Sequence, residues 1–295
     1  MASVLVIGAS GFIGRHVVRR LVETRSHAVA GTVLSQTPPD DGADWRRVDL
    51  TSPENIAGVF HSVEPEIVVH LAAMADVNTA ERQPDRAAAV NADATASIAR
   101  LCRQSGARLV FISTEYVFDG RHGPYGEADS PNPATQYGRT KFQAEQHVAR
   151  LADRWSIVRT SIVYGWPHPG KRNYLPRLVE RLRNGQTCPA PTDVYRTPVY
   201  VEHLVDGIHQ LVEEEHPGVH HVAGSDRVSM YDFARAIADA FGLDRKLVLA
   251  STDPTPGPER LGLDCSLTMR SLGLPQCGLS QGLAACREAS PTNRA

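Results

Sequence analysis

The chain has 295 residues, of which 42% are hydrophobic and 22% charged, with a formal net charge of -2. That is the profile of an ordinary globular protein, long enough for one large α/β domain or a nucleotide-binding domain with a smaller lobe. It leaves no electrostatic footprint for nucleic acid, and no apolar run reaches the roughly 20 residues that span a bilayer. The opening MASVLVIGAS lacks the basic start and small-residue cleavage site of a signal peptide and reads as a first strand. The cysteines (Cys102, Cys188, Cys265, Cys277 and Cys286) are odd in number and widely spaced, without a C-x-x-C pair. Reduced thiols in a cytoplasmic protein are expected, not a disulfide framework or a metal site.

In chain order, buried strands are expected at Val4 to Ile7, Ala28 to Val33, Ile67 to Leu71, Leu109 to Ile112 and Ile157 to Val158. Helical patterns lie between most of them, near 11–24, 53–63, 86–105 and 135–151. Near-continuous apolar strands alternating with helices predict an α/β fold, a doubly wound parallel sheet covered on both faces. After Tyr164 the texture changes. GWPHPGKRN reads as a loop and CPAPTDVYRTP is rich in breakers. Helices are expected near 174–184, 201–214 and 229–241, with a short strand at Val219 to Val222. The tail beyond Leu279, ending SPTNRA, reads as frayed. The expected layout is a sheet domain over 1–160 and a smaller lobe over 161–295 that returns to the sheet domain once, around 190–225.

Gly8-Ala9-Ser10-Gly11-Phe12-Ile13-Gly14 follows the first strand and opens the first helix. A tight strand-to-helix turn calls for a positive φ, and a Cβ there blocks close approach of a pyrophosphate to the helix N-terminus. Gly8, Ser10, Gly11, Phe12, Ile13 and Gly14 are therefore candidate contacts of a dinucleotide. The second strand ends Ala30-Gly31-Thr32-Val33-Leu34-Ser35, without the acid that usually takes the ribose hydroxyls of NAD. That permits NADPH rather than NADH or NAD. Arg15, Thr32 and Ser35 are candidates for its 2′-phosphate, although Arg15 also reads as a solvated first-turn arginine.

Tyr137-Gly138-Arg139-Thr140-Lys141 puts a phenol and an ammonium four residues apart, on one face of a helix. Lysine is scarce here, with only Lys141, Lys171 and Lys246 in the chain. A tyrosine ionises near pH ~10, and a nearby cation favours its anion, which makes it a better proton shuttle. The run Phe111-Ile112-Ser113-Thr114-Glu115-Tyr116-Val117-Phe118-Asp119-Gly120 supplies a hydroxyl at the sheet's C-terminal edge, where doubly wound folds bind ligands.

These motifs resemble the extended short-chain dehydrogenase/reductase superfamily, and within it the dTDP-4-dehydrorhamnose reductases. The G-x-x-G-x-x-G spacing, Ala88-Ala89-Val90-Asn91-Ala92, the Tyr137/Lys141 pair and Arg159-Thr160-Ser161-Ile162-Val163-Tyr164-Gly165 carry the likeness over nearly the whole chain. The resemblance implies a Rossmann-type NAD(P)-binding domain followed by a substrate-binding lobe. It implies Thr114, Tyr137 and Lys141 as catalytic residues, with Lys141 also holding the nicotinamide ribose and Ser113 structural. Asp49 and Leu50 resemble the adenine-contacting pair, although Asp49 also reads as an N-cap or turn residue. Leu71, Ala72 and Ala73 resemble the segment lining the cofactor, and Met74, Glu115 and Tyr116 fall on the sugar side. Thr114-Glu115-Tyr116 lacks the Thr-Asp-Glu of nucleotide-sugar dehydratases, which points to 4-keto reduction. Ile162 stands where the rhamnose-forming reductases carry a tryptophan, and Arg196 and Asn173 are candidate substrate contacts that equally read as surface and loop residues.

The expectation is an NADPH-dependent ketoreductase of deoxysugar biosynthesis whose partner is a nucleotide-linked sugar, with a homodimer open. Two alternatives stand beside it. One is an epimerase with tightly bound NAD, and the other a non-catalytic regulatory subunit resembling the methionine adenosyltransferase β-subunit.

Overall fold

The computed structural model describes residues 1–36, 40–167, 173–253 and 257–290. The middle of the GWPHPGKRN loop, including Lys171, and the last five residues of the tail lie outside the described residues. In chain order the elements begin β1 (Ala2–Ile7), α1 (Phe12–Thr24), β2 (His27–Val33), β3 (Asp44–Arg47), α2 (Pro53–Val63) and β4 (Ile67–His70). They continue α3 (Val77–Arg82), α4 (Pro84–Ala88), α5 (Ala94–Ser105), β5 (Arg108–Thr114), α6 (Gln136–Leu151), β6 (Trp155–Thr160), β7 (Val163–Tyr164), α7 (Tyr174–Arg183) and β8 (Cys188–Pro191). Then come β9 (Tyr195–Arg196), β10 (Val199–Tyr200), α8 (Val201–Glu213), β11 (Gly218–His221), β12 (Val228–Ser229), α9 (Met230–Ala240), β13 (Val248–Ser251), α10 (Ser266–Ser271) and α11 (Leu279–Glu288).

The chain divides into two compact units. The first comprises Met1–Val117, Pro131–Arg159 and Val205–His220. Its frame is a seven-stranded sheet in the order β11-β6-β5-β4-β1-β2-β3, in which the pairs β3–β2, β2–β1, β1–β4 and β4–β5 are parallel. Val4 to Ile7 and every residue of β4 and β5 are buried, as expected of strands covered on both faces. Leu5, Ile7, Val68, Leu109 and Phe111 pack against Ile56 and Phe60 of α2, Ile98 and Cys102 of α5, and Ala144 and Val148 of α6. Apolar burial of this kind is the dominant favourable term in folding, at about 25 cal/mol per Å² of apolar area. This is the doubly wound α/β architecture that the sequence pattern predicts.

The helix expected over 86–105 is broken. Gln83 and Pro84 start α4, and a π-helical turn at Ala89–Asp93 separates it from α5. Such single-turn bulges are frequent at functional sites. An apolar period alone does not show one, because the i→i+5 turn inserts a residue without ending the helix.

The second unit comprises Phe118–Ser130, Thr160–Leu204 and His221–Ala295. Its core joins Leu175, Leu178, Val179 and Leu182 of α7, Phe233, Ala234 and Ile237 of α9, Tyr164, and Leu279, Leu283 and Cys286 of α11. Two expectations are corrected here. The segment beyond Leu279 is not frayed over 279–290: it forms α11, with Leu279, Gly282, Leu283 and Cys286 buried. The breaker-rich CPAPTDVYRTP run still contributes two strands, β8 pairing parallel with β13 and β9 antiparallel with β12. Both are two-stranded ribbons, where every strand is an edge and proline is tolerated. Among the described residues no helix is long and apolar enough to cross a membrane.

Candidate active site

The glycine turn is built as its spacing requires. Gly8 has φ +88°, and a Cβ on it would lie 2.6 Å from the backbone nitrogen of Ala72. A Cβ on Gly14 would lie 2.3 Å from the Gly8 carbonyl oxygen, so Gly14 lets α1 pack against the turn. Gly11 differs, since a Cβ there meets only the Gly8 oxygen, at 3.1 Å. Its φ of -73° needs no glycine either. Gly11 is the N-cap of α1, no side chain caps that end, and the first turn has no acidic residue. The free N–H groups and the helix dipole suit an anion. Ser10, Phe12 and Ile13 line this turn, partly exposed, with Phe12 edge-on to His16 at 5.4 Å.

At the neighbouring end of β2, the Thr32 hydroxyl accepts a hydrogen bond from the Gly8 N–H at 3.0 Å and so holds the turn. Ser35 is exposed beyond the strand. Arg15 is not a solvated arginine. Its Nη1 meets Asp41 Oδ2 at 2.8 Å, and the guanidinium lies 5.5 Å from the Trp45 ring centre. Asp41 also accepts from Trp45 Nε1 at 2.9 Å. The end of β2 carries no acid in sequence, yet Asp41, just ahead of β3, meets Arg15. Asp49 is exposed and closes a turn onto Thr51, whose N–H and hydroxyl hold its carboxyl below the usual range. Ser52, not Asp49, caps α2. Leu50 packs on the core of this unit.

Leu71, Ala72, Ala73 and Met74 follow β4 directly, partly exposed, with Ala72 against Gly8. Asn91, fully buried in the π turn, fixes them. Its Oδ1 accepts from the Met74 N–H at 2.7 Å, and its Nδ2 donates to the Met74 carbonyl at 3.2 Å and to Thr140 Oγ1 at 3.0 Å. One amide thereby ties the loop after β4 to α6. Thr95 donates its hydroxyl proton to the Asn91 carbonyl at 2.6 Å, so His70 Nε2, 3.1 Å from Thr95 Oγ1, is the donor to that hydroxyl. Burial, with the Lys141 charge second, pushes the His70 pKa down to about 3.

Thr114, Glu115, Tyr116, Tyr137 and Lys141 come together in the first unit. Thr135 caps α6 by accepting from the Gly138 N–H at 3.1 Å. A Cβ on Gly138 would lie 2.1 Å from the Tyr116 carbonyl oxygen, so this glycine lets α6 press onto the turn after β5. Tyr137 and Tyr116 meet edge-to-face at 5.7 Å. Burial drives the Tyr137 phenol up to about 12, opposed by a hydrogen bond with Thr114 and aided by Tyr116 and Glu115. Lys141 does not produce the lowered tyrosine pKa that the sequence suggests. Its Nζ donates to the Ile112 carbonyl at 2.7 Å and lies 4.0 Å from the Phe111 ring centre. Burial brings the Lys141 pKa down to about 7, partly offset by Glu145 one turn on. Glu145 in turn pairs with Arg159 (3.0 and 2.7 Å) and accepts from Ser113 at 2.5 Å, all buried. The result is a protonated phenol beside a hydroxyl, backed by the buried amino group of Lys141: an arrangement able to deliver a proton to a nascent alkoxide.

Gly138, Asn91, Glu145 and Asp41 were not singled out as site residues from the sequence. Glu145 is four residues beyond Lys141 on the same helix face, a spacing that was readable. Asp41 carries no such signal.

Three further candidates belong to the second unit. Ile162 packs against that unit's core. Asn173 is the N-cap of α7, accepting from the Leu175 N–H at 3.2 Å and donating to the Gly165 carbonyl at 3.0 Å. Arg196 is buried rather than on the surface, and donates to the carbonyls of Tyr195, Glu259 and Pro258 at 2.7, 3.2 and 3.0 Å. Among the described residues no group of three or more His, Cys, Asp or Glu side chains is arranged to hold a metal ion.

A parallel doubly wound sheet, a G-x-x-G-x-x-G turn after its first strand and a Thr/Tyr/Lys cluster in the same unit define an extended short-chain dehydrogenase/reductase. The family model described as RmlD substrate binding domain matches residues 1–288, and the chain belongs to that family. Two curated proteins are similar to it along most of their length. The protein named "Probable low-salt glycan biosynthesis reductase" from Haloferax volcanii is 34% identical over 294 residues, covering 96% of this chain and 97% of the relative. Methionine adenosyltransferase 2 subunit beta from Rattus norvegicus is 30% identical over 283 residues, covering 92% and 83%. Among solved structures, dTDP-4-dehydrorhamnose reductase from Bacillus anthracis in complex with NADP superimposes with a TM-score of 0.84 at 25% identity, covering 98% of this chain and 100% of that one.

Proposed function

We propose that the chain is an NADPH-dependent reductase of a nucleotide-activated 4-keto-deoxysugar. The observation that carries this reading is the placement of Tyr137, hydrogen-bonded with Thr114 and edge-to-face on Tyr116 at the C-terminal edge of the sheet. A reductase needs a proton donor at that point, and burial keeps the phenol in its protonated form. The uncapped glycine turn at the start of α1 fits a pyrophosphate. The NADP complex of the Bacillus anthracis reductase and the reductase from Haloferax volcanii support the cofactor and the reaction class.

When bound, the nicotinamide supplies the hydride. The protein's own groups do the rest. Thr114 donates to the carbonyl oxygen as negative charge develops on it, and Tyr137 passes it a proton. Lys141 holds the ribose and offsets the tyrosinate left behind, and Glu115 and Tyr116 bound the sugar side. The test is NADPH oxidation across a panel of nucleotide-linked 4-keto sugars. Stoichiometric consumption with at least one of them is expected. Interconversion of sugars without net loss of NADPH would instead make the chain an epimerase.

The likeness to methionine adenosyltransferase 2 subunit beta favours a second reading, a non-catalytic subunit of a larger assembly. It predicts dinucleotide binding without turnover of any keto sugar in the same panel.

A further inference from the structure

We propose that Asp41 is a specificity-determining residue that sets the balance between NADPH and NADH by competing for Arg15. The inference rests on the dinucleotide reading above and deepens it. Arg15 follows the third glycine, in the first turn of α1, and Thr32 at the end of β2 is bonded to Gly8 in the same turn. In doubly wound dinucleotide sites this corner receives the adenosine ribose: a carboxylate there takes the 2′-hydroxyl of NAD, and an arginine takes the 2′-phosphate of NADP. The corner holds both groups, paired to each other. Arg15 Nη1 and Asp41 Oδ2 are 2.8 Å apart, with side-chain exposures of 17% and 24%.

The pair is built rather than incidental. Trp45 Nε1 donates to Asp41 Oδ1 at 2.9 Å, the Ala43 N–H donates to the same oxygen at 3.4 Å, and the Trp45 ring lies 5.5 Å from the Arg15 guanidinium. Trp45 is fixed in turn against β2, where a Cβ on Gly31 would lie 3.1 Å from its ring. Asp41 is thus anchored from β3 while it faces the arginine of α1. A 2′-phosphate entering this corner must draw Arg15 away from a fixed carboxylate that also repels it. A ribose diol meets a carboxylate already in place. Asp41 therefore narrows the preference for NADPH over NADH without removing it.

The experiment measures Kd values for NADPH and NADH by fluorescence titration of the wild type, Asp41→Asn, Arg15→Met and the double variant, with 2′,5′-ADP and ADP as displacing probes. Asn keeps an acceptor for Trp45 and removes the charge. The ratio of the NADH to the NADPH Kd is expected to rise about fivefold to tenfold in Asp41→Asn. That rise should largely vanish when Arg15 is already Met, because the effect acts through the pair. An unchanged ratio in a folded Asp41→Asn, or an equal rise with and without Arg15, overturns the role of Asp41 while leaving the dinucleotide site intact. A wild-type protein that binds neither nucleotide overturns the dinucleotide reading itself, and this proposal with it.

Discussion

Lys141 donates from Nζ to the carbonyl oxygen of Ile112 at 2.7 Å, the residue one before Ser113 on β5. The bond draws the ammonium back against the sheet, over the Phe111 ring, and burial brings its pKa from 10.5 down to about 7. The unfolded chain therefore binds a proton that the folded chain lacks between pH ~7 and ~10.5, so this group makes stability rise with pH across that window. Measured by urea unfolding, the difference in stability between wild type and Lys141→Met should grow in favour of the wild type from pH 7 to 10. Its slope is at most about 1.4 kcal/mol per pH unit. A difference independent of pH would mean that Lys141 titrates in the folded protein as it does in water.

Replacing Tyr137 by Phe removes the phenolic proton and leaves the ring against Tyr116. Reduction of the keto sugar should fall by about 10²-fold to 10⁴-fold in kcat, the usual range for loss of a positioned acid. The NADPH Kd should stay within about threefold of wild type, since cofactor contacts are assigned chiefly to the glycine turn and Lys141. Single-turnover kinetics and fluorescence titration separate the two. A wild-type rate in the variant removes Tyr137 from the chemistry.

Gly11 and Gly14 look alike in the motif and differ in the fold. A Cβ on Gly14 lands 2.3 Å from the Gly8 oxygen and 2.8 Å from Ala9 Cα, both backbone atoms that cannot turn aside. Gly14→Ala should therefore lower the thermal midpoint, by overpacking worth about 1–3 kcal/mol. Gly11→Ala meets only one oxygen at 3.1 Å, so its midpoint should change little. Its dinucleotide affinity should fall at least tenfold, because the methyl occupies space that a pyrophosphate needs. Calorimetry with and without cofactor tells the two apart. Equal loss of stability in both variants would assign Gly11 to folding alone.

The sheet was readable because its strands are apolar without interruption, and the α6 site because Tyr137 and Lys141 share a helix face. Three parts were not readable, each for its own reason. Asp41 meets Arg15 across 26 residues of sequence, a pairing that no local pattern encodes. Asn91 does its work from a π turn, which has no apolar period distinct from the helix around it. The tyrosine pKa went in the opposite direction because spacing on a helix places two groups on one face but does not say where a long side chain points. Lys141 Nζ turns to the Ile112 carbonyl, and desolvation is the largest influence on Tyr137.

Glu145 joins Ser113, Arg159 and the charge of Lys141 in one buried cluster. Glu145→Gln keeps the shape and leaves the Arg159 cation without its carboxylate, which typically costs about 3–5 kcal/mol for a buried pair. Because Glu145 raises the Lys141 pKa, its loss should also move any kinetic transition belonging to Lys141 to lower pH. A pH–rate profile reads that shift apart from the loss of stability, since a purely structural change would lower the plateau without moving the midpoint.

Leu283 tests whether the C-terminal helix is part of the core of the second unit. It is 2% exposed on α11, in the cluster with Phe233 and Leu178, and its neighbour Gly282 lies so close to Tyr164 that a Cβ would come within 2.2 Å of the phenol oxygen. Trp166 Nε1 adds a hydrogen bond to the Cys286 carbonyl at 2.7 Å, and Asp226 caps the helix by accepting from the Leu279 N–H at 2.6 Å. A helix of ten residues is marginal on its own in water, so its order depends on this docking. Leu283→Ala should destabilise the second unit by about 2–5 kcal/mol through lost burial and the cavity left behind. Amide hydrogen exchange reads the change locally. Protection should drop together in α11, α9 and α7, whereas a loss confined to α11 would make the helix an appendage rather than a member of the core.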